Sequence, residues 1–250
     1  MQTDQSVSAY PQHPLLKSIV LHILPGALVA MGFIALKPIL EPSGFPPLLA
    51  FLLAILLIDL PIMWGIMLYD GWKQNGRIGL DWVVQYREKL SWKRFLVVFI
   101  GAFVAAYALV MLATPLTGFL TERIFSGLPH WMFLEEQSQY QLYAKNVLIG
   151  LFTFQLILTG VILPWTEELY FRGYLLPRIT RFGKWAPLIG GLLFGLYHSW
   201  QAFGFFSVFL LGAVLGYVVW WKRDIRLSIS LHIAANAFAR LAFLLAALAM

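Results

Sequence analysis

The chain has 250 residues, of which 60% are hydrophobic and only 12% charged, with a net charge of +6 and no cysteine. Disulfides, thiol nucleophiles and thiolate metal sites are thereby excluded. Several apolar runs reach roughly the 20 residues needed to cross a bilayer, so this is the composition of an integral membrane protein in one membrane domain.

The first fourteen residues are polar and carry no Lys or Arg. They lack the basic start of a secretory signal, so the chain from Lys17 onward reads as a retained span. About seven hydrophobic spans follow, eight at most: Leu16–Lys37, Pro47–Tyr69, Phe95–Leu116, Ala144–Leu176, Trp185–Trp200, Phe203–Trp221 and Leu227–Ala249. The expected fold class is all-α, a polytopic transmembrane helical bundle. Residues 1–143 supply N-terminal spans and a cytoplasmic interfacial segment. Residues 144–250 form a second part of one integrated membrane domain.

Charge orients the bundle. With the N-terminus inside, the inner segments hold Lys17, Lys73, Arg77, Arg87, Lys89, Lys93, Arg94, Arg178, Arg181, Lys184, Lys222, Arg223 and Arg226, and the outer ones only Lys37, Arg123 and Lys145. This bias favours an N-in, C-out topology. It also accounts for the basic excess without a nucleic-acid partner. Two connections are long. Gly71–Lys93 contains LDWVVQYREKL, which reads as a helix lying in the cytoplasmic interface. Thr117–Tyr143 holds Trp131, Glu135 and Glu136 and reads as an outer connector, or as a cap over a substrate. Trp200, Trp220 and Trp221 read as interface markers.

The fourth span contains PWTEELYFRGYLLPR, starting at Pro164. Glu167 and Glu168 lie about ten residues from its inner end, roughly 15 Å deep. A charge near the bilayer centre costs about 2.5–3.5 kcal/mol on the insertion scale. Glu168 and Arg172 are four apart on one helical face and can pair. Glu167 is rotated by about 100° from Glu168 and has no sequence-local counterion. A lone carboxyl in apolar surroundings can serve as a proton acceptor. Pro164 removes one helical hydrogen bond and is expected to kink the helix, aiming the glutamates inward.

Two further spans carry polar groups at similar depth. His198 lies in FGLYH, about 20 Å along the fifth span, and His232 and Asn236 lie in HIAAN, about 9 and 15 Å along the seventh. Polar groups at one level of a bundle are expected to face each other and mark a site. Gly191 with Gly195, and Gly212 with Gly216, give two G-x-x-x-G patterns for close helix approach. Asp59 in the second span, beside Pro61, reads as lining a cavity or pairing with another helix. His22 reads as a packing residue, and Arg240 as snorkelling or capping the site from above.

The chemistry open to this set is water activation. Glu167 and His198 could activate a water for attack on an amide, with His232 and Asn236 holding the oxyanion. The alternative is a zinc site built from Glu167, His198 and His232. A non-catalytic scaffold or a transporter is the third reading. A transporter, however, often shows two related halves, and this sequence has no convincing internal repeat.

EELYFRG, FGLYH and HIAAN resemble, in order and type, the E-E-x-x-x-R, F-x-x-x-H and H-x-x-x-N motifs of the CPBP family. This is the CAAX protease and bacteriocin-processing, or Abi, family of intramembrane glutamic endopeptidases, which includes the type II CAAX prenyl endopeptidases. The likeness runs from about Ala144 to Arg240. It implies Glu167 and His198 as the pair that activates water, Glu168 and Arg172 as organising residues, and His232 and Asn236 as oxyanion binders. It implies no cofactor, although the zinc alternative stays open. The expected partners are the lipid bilayer and a membrane-associated protein or peptide substrate. The compact spacing of the second and third motifs resembles bacterial members, which implies a multi-pass protein of the inner (plasma) membrane.

Overall fold

The fold is described from a computed structural model covering residues 11–127 and 137–250. It is predominantly helical. Six helical stretches are long and apolar enough to cross a membrane, and this is a multi-pass membrane protein. Among the described residues there are no strands, only one isolated antiparallel bridge between Arg87 and Asp224.

Helix α1 spans Leu15–Leu40. Helices α2 (Pro47–Ala54) and α3 (Leu60–Asn75) form one crossing joined by a π turn over Ile55–Asp59. Helix α4 (Trp92–Phe125) stands at the edge of the bundle with most of its apolar side chains exposed, as suits a lipid-facing helix. It continues through much of the expected outer connector. Trp131, Glu135 and Glu136 lie outside the described residues.

The next apolar stretch runs unbroken from Lys145 to Tyr197, far longer than one crossing needs. It is two legs. The first comprises α5 (Lys145–Ile157), a π turn (Leu158–Ile162), α6 (Leu163–Glu167) and a second π segment (Glu168–Leu175). A 3₁₀ stretch over Leu176–Trp185 then carries Gly183 at φ 55°, ψ −131°. An L side chain rarely adopts that φ, so glycine suits this turn. Helix α7 (Ala186–Tyr197) returns along the first leg, rising about 18 Å. The seven expected spans are thus six continuous stretches, one folded back on itself. Helices α8 (Phe205–Lys222) and α9 (Ile225–Ala249) complete the bundle.

Helices α7 and α8 approach closely where the small residues meet. A Cβ on Gly191 would lie 2.6 Å from the Ala213 backbone nitrogen, so any larger residue must push the helices apart. The N-terminal helices are tied to the later ones through polar contacts. Tyr170 donates to the Leu21 carbonyl at 2.8 Å, Trp64 to the Thr166 hydroxyl at 3.3 Å, and Tyr197 to Asp59 at 2.5 Å.

The inner connection departs from expectation. LDWVVQYREKL is not an interfacial helix but an irregular strap, with Val83, Val84 and Tyr86 buried. Backbone pairing explains it. The Gln85 N–H donates to the Gly173 carbonyl in the second π segment, and the Ile225 N–H at the start of α9 donates to the Tyr86 carbonyl. A helix here would leave those groups without partners in a buried place. Trp200 also departs: it is 4% exposed and packs on Tyr197 and Phe51 rather than facing an interface. Trp221, 72% exposed, fits the expected role.

Candidate active site

The helix carrying the two glutamates is widened on both sides of them. In place of a simple kink at Pro164, π turns occupy Leu158–Ile162 and Glu168–Leu175. The first absorbs the hydrogen bond that proline cannot make. Such wide turns occur frequently at functional sites. The consequence is that Glu167 and Glu168, adjacent in sequence and buried to 1% and 0% exposure, address different neighbours.

Glu168 is the organised carboxylate. Its Oε1 accepts from Arg172 Nη1 at 2.8 Å and from His232 Nδ1 at 2.8 Å. Arg172 also donates from Nη2 to the Gly212 carbonyl at 3.0 Å, and its guanidinium lies 4.1 Å over the Phe194 ring. The arginine therefore fixes α8 and α7 against the glutamate helix. Ser228, one turn before His232 on α9, is fully buried and also faces Glu168. The sequence reading overlooked it, although its i−4 spacing from His232 was available.

Glu167 is the more loosely held carboxyl. His198 Nε2 lies 3.7 Å from its Oε1, and His232 Nε2 lies 3.7 Å from its Oε2. Both distances exceed a direct hydrogen bond. The tautomer of His198 follows from its other nitrogen. Nδ1 is 2.9 Å from the Phe194 carbonyl, which can only accept, so Nδ1 carries the proton and Nε2 presents a lone pair. The residue closes the C-terminus of α7 at φ −78°, ψ 41°, and this fixes the direction of the ring. His232 bridges the two glutamates, with Nδ1 on Glu168 and Nε2 toward Glu167.

Five of the six expected side chains, Glu167, Glu168, Arg172, His198 and His232, therefore meet in one cluster. Asn236 lies one turn beyond His232 on α9, half-buried, and its side chain makes no hydrogen bond among the described residues. Arg240 lies a further turn away, over the Phe243 ring. His22 is a packing residue, with Nδ1 on the Ser18 carbonyl at 2.7 Å and its ring against Phe171. Asp59 comes closer to the site than the sequence suggested. Its partner Tyr197 stands next to His198 and also faces Glu167.

Among the described residues, no group of three His, Asp or Glu side chains is disposed to hold a metal ion.

Residues 149–238 match the family model of the type II CAAX prenyl endopeptidase Rce1-like proteins, and all six site residues fall within that stretch. This segment is similar to the Rce1-like CAAX proteases. Comparisons with curated proteins and with solved structures return no match. The matched stretch starts within α5 and ends within α9, so it takes in the glutamate helix, both histidines and the close α7–α8 packing. By its description, the matched family is one of endopeptidases.

Proposed function

We propose that this protein is an intramembrane glutamic endopeptidase that hydrolyses a peptide bond of a membrane-associated protein or peptide. The observation that supports this most directly is the pairing of a lone buried carboxyl, Glu167, with a histidine lone pair, His198 Nε2, across 3.7 Å. Glu167 takes a proton from a water molecule held between these two groups, and the water oxygen attacks the carbonyl carbon. The oxyanion that forms accepts hydrogen bonds from His232 Nε2–H and the Asn236 amide. In this step His232 donates from both nitrogens, Nδ1–H to Glu168 and Nε2–H to the oxyanion. When the C–N bond breaks, Glu167 returns its proton to the leaving amine. No covalent intermediate is needed.

In this reading, residues 144–250 are the protease core and 1–143 support it within one integrated membrane domain. A peptide segment enters from the cytoplasmic side or through a lateral opening. No step uses a metal.

The test uses the purified full-length protein with two sets of internally quenched peptides, one ending in an S-farnesylated Cys-aliphatic-aliphatic-X sequence and one of unprenylated membrane segments. Cleavage by the wild type, and its loss in Glu167→Gln and His198→Ala, is the expected result. Full cleavage by either variant overturns the assigned roles. Activity that survives a chelator separates this mechanism from the zinc alternative, and the peptide set that is cut names the substrate class. Absence of any cleavage favours the scaffold or transporter reading.

A further inference from the structure

Asp59 is a second buried carboxyl beside the site, and the reaction as described does not use it. It closes the π turn between α2 and α3, is 0% exposed, and accepts a hydrogen bond from the Tyr197 hydroxyl on Oδ2 at 2.5 Å. Its Oδ1 has no partner among the described residues. Tyr197 is itself fully buried, and its hydroxyl faces Glu167, whose Oε1 also lacks a hydrogen bond. The site arginine, Arg172, is engaged by Glu168.

Two buried carboxyls thus face one hydroxyl, and among the described residues neither is paired with a lysine or arginine of its own. Like carboxyls sharing such a place hold one proton between them. A tyrosine hydroxyl has one hydrogen to give and lone pairs to receive. It can donate to one carboxylate while accepting from the protonated other. Around Glu167 the remaining facing groups are Glu168 and Arg172 on its own helix, His198 at the end of α7 and His232 on α9.

We propose that Asp59, Tyr197 and Glu167 form a relay in which one proton passes between the two carboxyls through the tyrosine hydroxyl, Asp59 holding it while Glu167 acts as the base. In the resting arrangement Tyr197 donates to Asp59, so Asp59 is the carboxylate and Glu167 the acid. In the shift, the Glu167 O–H bond breaks and its proton passes to the tyrosine oxygen. The original tyrosine proton passes to Asp59 Oδ2. The triad keeps one negative charge throughout, and nothing is oxidised or reduced. Glu167 emerges as a carboxylate facing His198, ready to take a proton from water. Asp59 is a positioning residue acting through Tyr197. The assignment rests on the protease reading of Glu167 for its purpose, but not for its detection.

The experiment is infrared spectroscopy of the full-length protein with and without ¹³C-glutamate labelling. The wild type is expected to show a protonated-carboxyl band that the glutamate label shifts. In Glu167→Gln, whose amide stands in for the acid, the band is expected to vanish, because Asp59 stays the carboxylate. A band that persists there, insensitive to the label, puts the resting proton on Asp59 and overturns the relay. With whichever quenched peptide the wild type cuts, Asp59→Asn should lower kcat by at least about tenfold at unchanged KM, and Asp59→Glu should recover part of it. Wild-type kcat in Asp59→Asn also overturns the relay. Should the wild type cut none of the peptides, the proteolytic reading fails by itself, and the infrared comparison still decides the relay.

Discussion

His232 Nδ1 and Arg172 Nη1 converge on the same atom, Glu168 Oε1, each at 2.8 Å. Three helices are thereby pinned at one carboxylate: the glutamate helix itself, α9 through His232, and α8 through the second arginine nitrogen on Gly212. Arg172 and Glu168 are 3% and 0% exposed, so removing one partner leaves an uncompensated charge with no access to water. We expect Arg172→Met to cost about 3–5 kcal/mol, and Arg172→Met with Glu168→Gln to cost less than the sum of the two single changes. Thermal unfolding of the four proteins in one detergent checks this. Additive losses would show that the pair does not hold the bundle together.

Asn236 allows chemistry to be separated from packing. It is half-buried and makes no side-chain hydrogen bond among the described residues, so Asn236→Ala should leave stability within about 0.5 kcal/mol of the wild type. If the amide binds the oxyanion, the same variant should lose about 10²–10³ in kcat. Unfolding midpoints and turnover measured on one preparation decide it. A variant that unfolds early and turns over normally would make Asn236 a packing residue.

The bundle and the cluster were legible in the sequence for different reasons. The spans followed from apolar length, and Glu168 with Arg172 from i, i+4 spacing in a place where lone charges are costly. Counting 1.5 Å per residue set His198 and His232 in one slab with the glutamates but about 11 Å apart in depth, whereas both lie 3.7 Å from Glu167. Tyr197 and Ser228 were harder to find, since neither is costly in an apolar helix and their roles depend on rotations that only the packed helices define. The strap over residues 76–91 was misread because its apolar residues allow a helix, while its backbone partners, Gly173 and Ile225, are remote in sequence. The π turns were missed because proline signals only the lost hydrogen bond, not how the helix accommodates it.

That strap is fastened at Asp224. Its side chain accepts from the Leu90 N–H at 3.0 Å, from the Arg226 N–H at 3.1 Å and from the Arg226 guanidinium, so one residue caps α9 and holds the strap. Burial pushes the carboxyl up, but the hydrogen bonds from Arg226 and Leu90 outweigh it and hold it below the usual carboxylate value. A depressed carboxylate contributes stability above its unfolded value, near 4, and loses that contribution as the pH falls below it. Asp224→Ala should therefore cost about 1–2 kcal/mol at neutral pH, and the gap to the wild type should narrow towards about pH 3. Unfolding midpoints at the two pH values measure it, and a constant gap would disprove the linkage.

His13 should act with a different pH window. Its backbone N–H donates to the Arg178 carbonyl at 2.8 Å, its ring meets Tyr174 edge-on, and its Nδ1 is buried without a partner among the described residues, so it docks the chain entering α1 onto the inner end of the glutamate leg. Burial, then the charges of Lys17 and Arg178, lower its pKa to about 4. The folded protein thus binds fewer protons here than the unfolded chain, whose histidine titrates near 6.5. The docked state is fully favoured above about 6.5 and loses stability as the pH falls from there towards about 4. Hydrogen exchange at the His13 amide should accelerate through that interval beyond the intrinsic rate. In His13→Phe, which keeps a ring against Tyr174 and removes the titration, it should not. If both proteins open alike with falling pH, another group controls the docking.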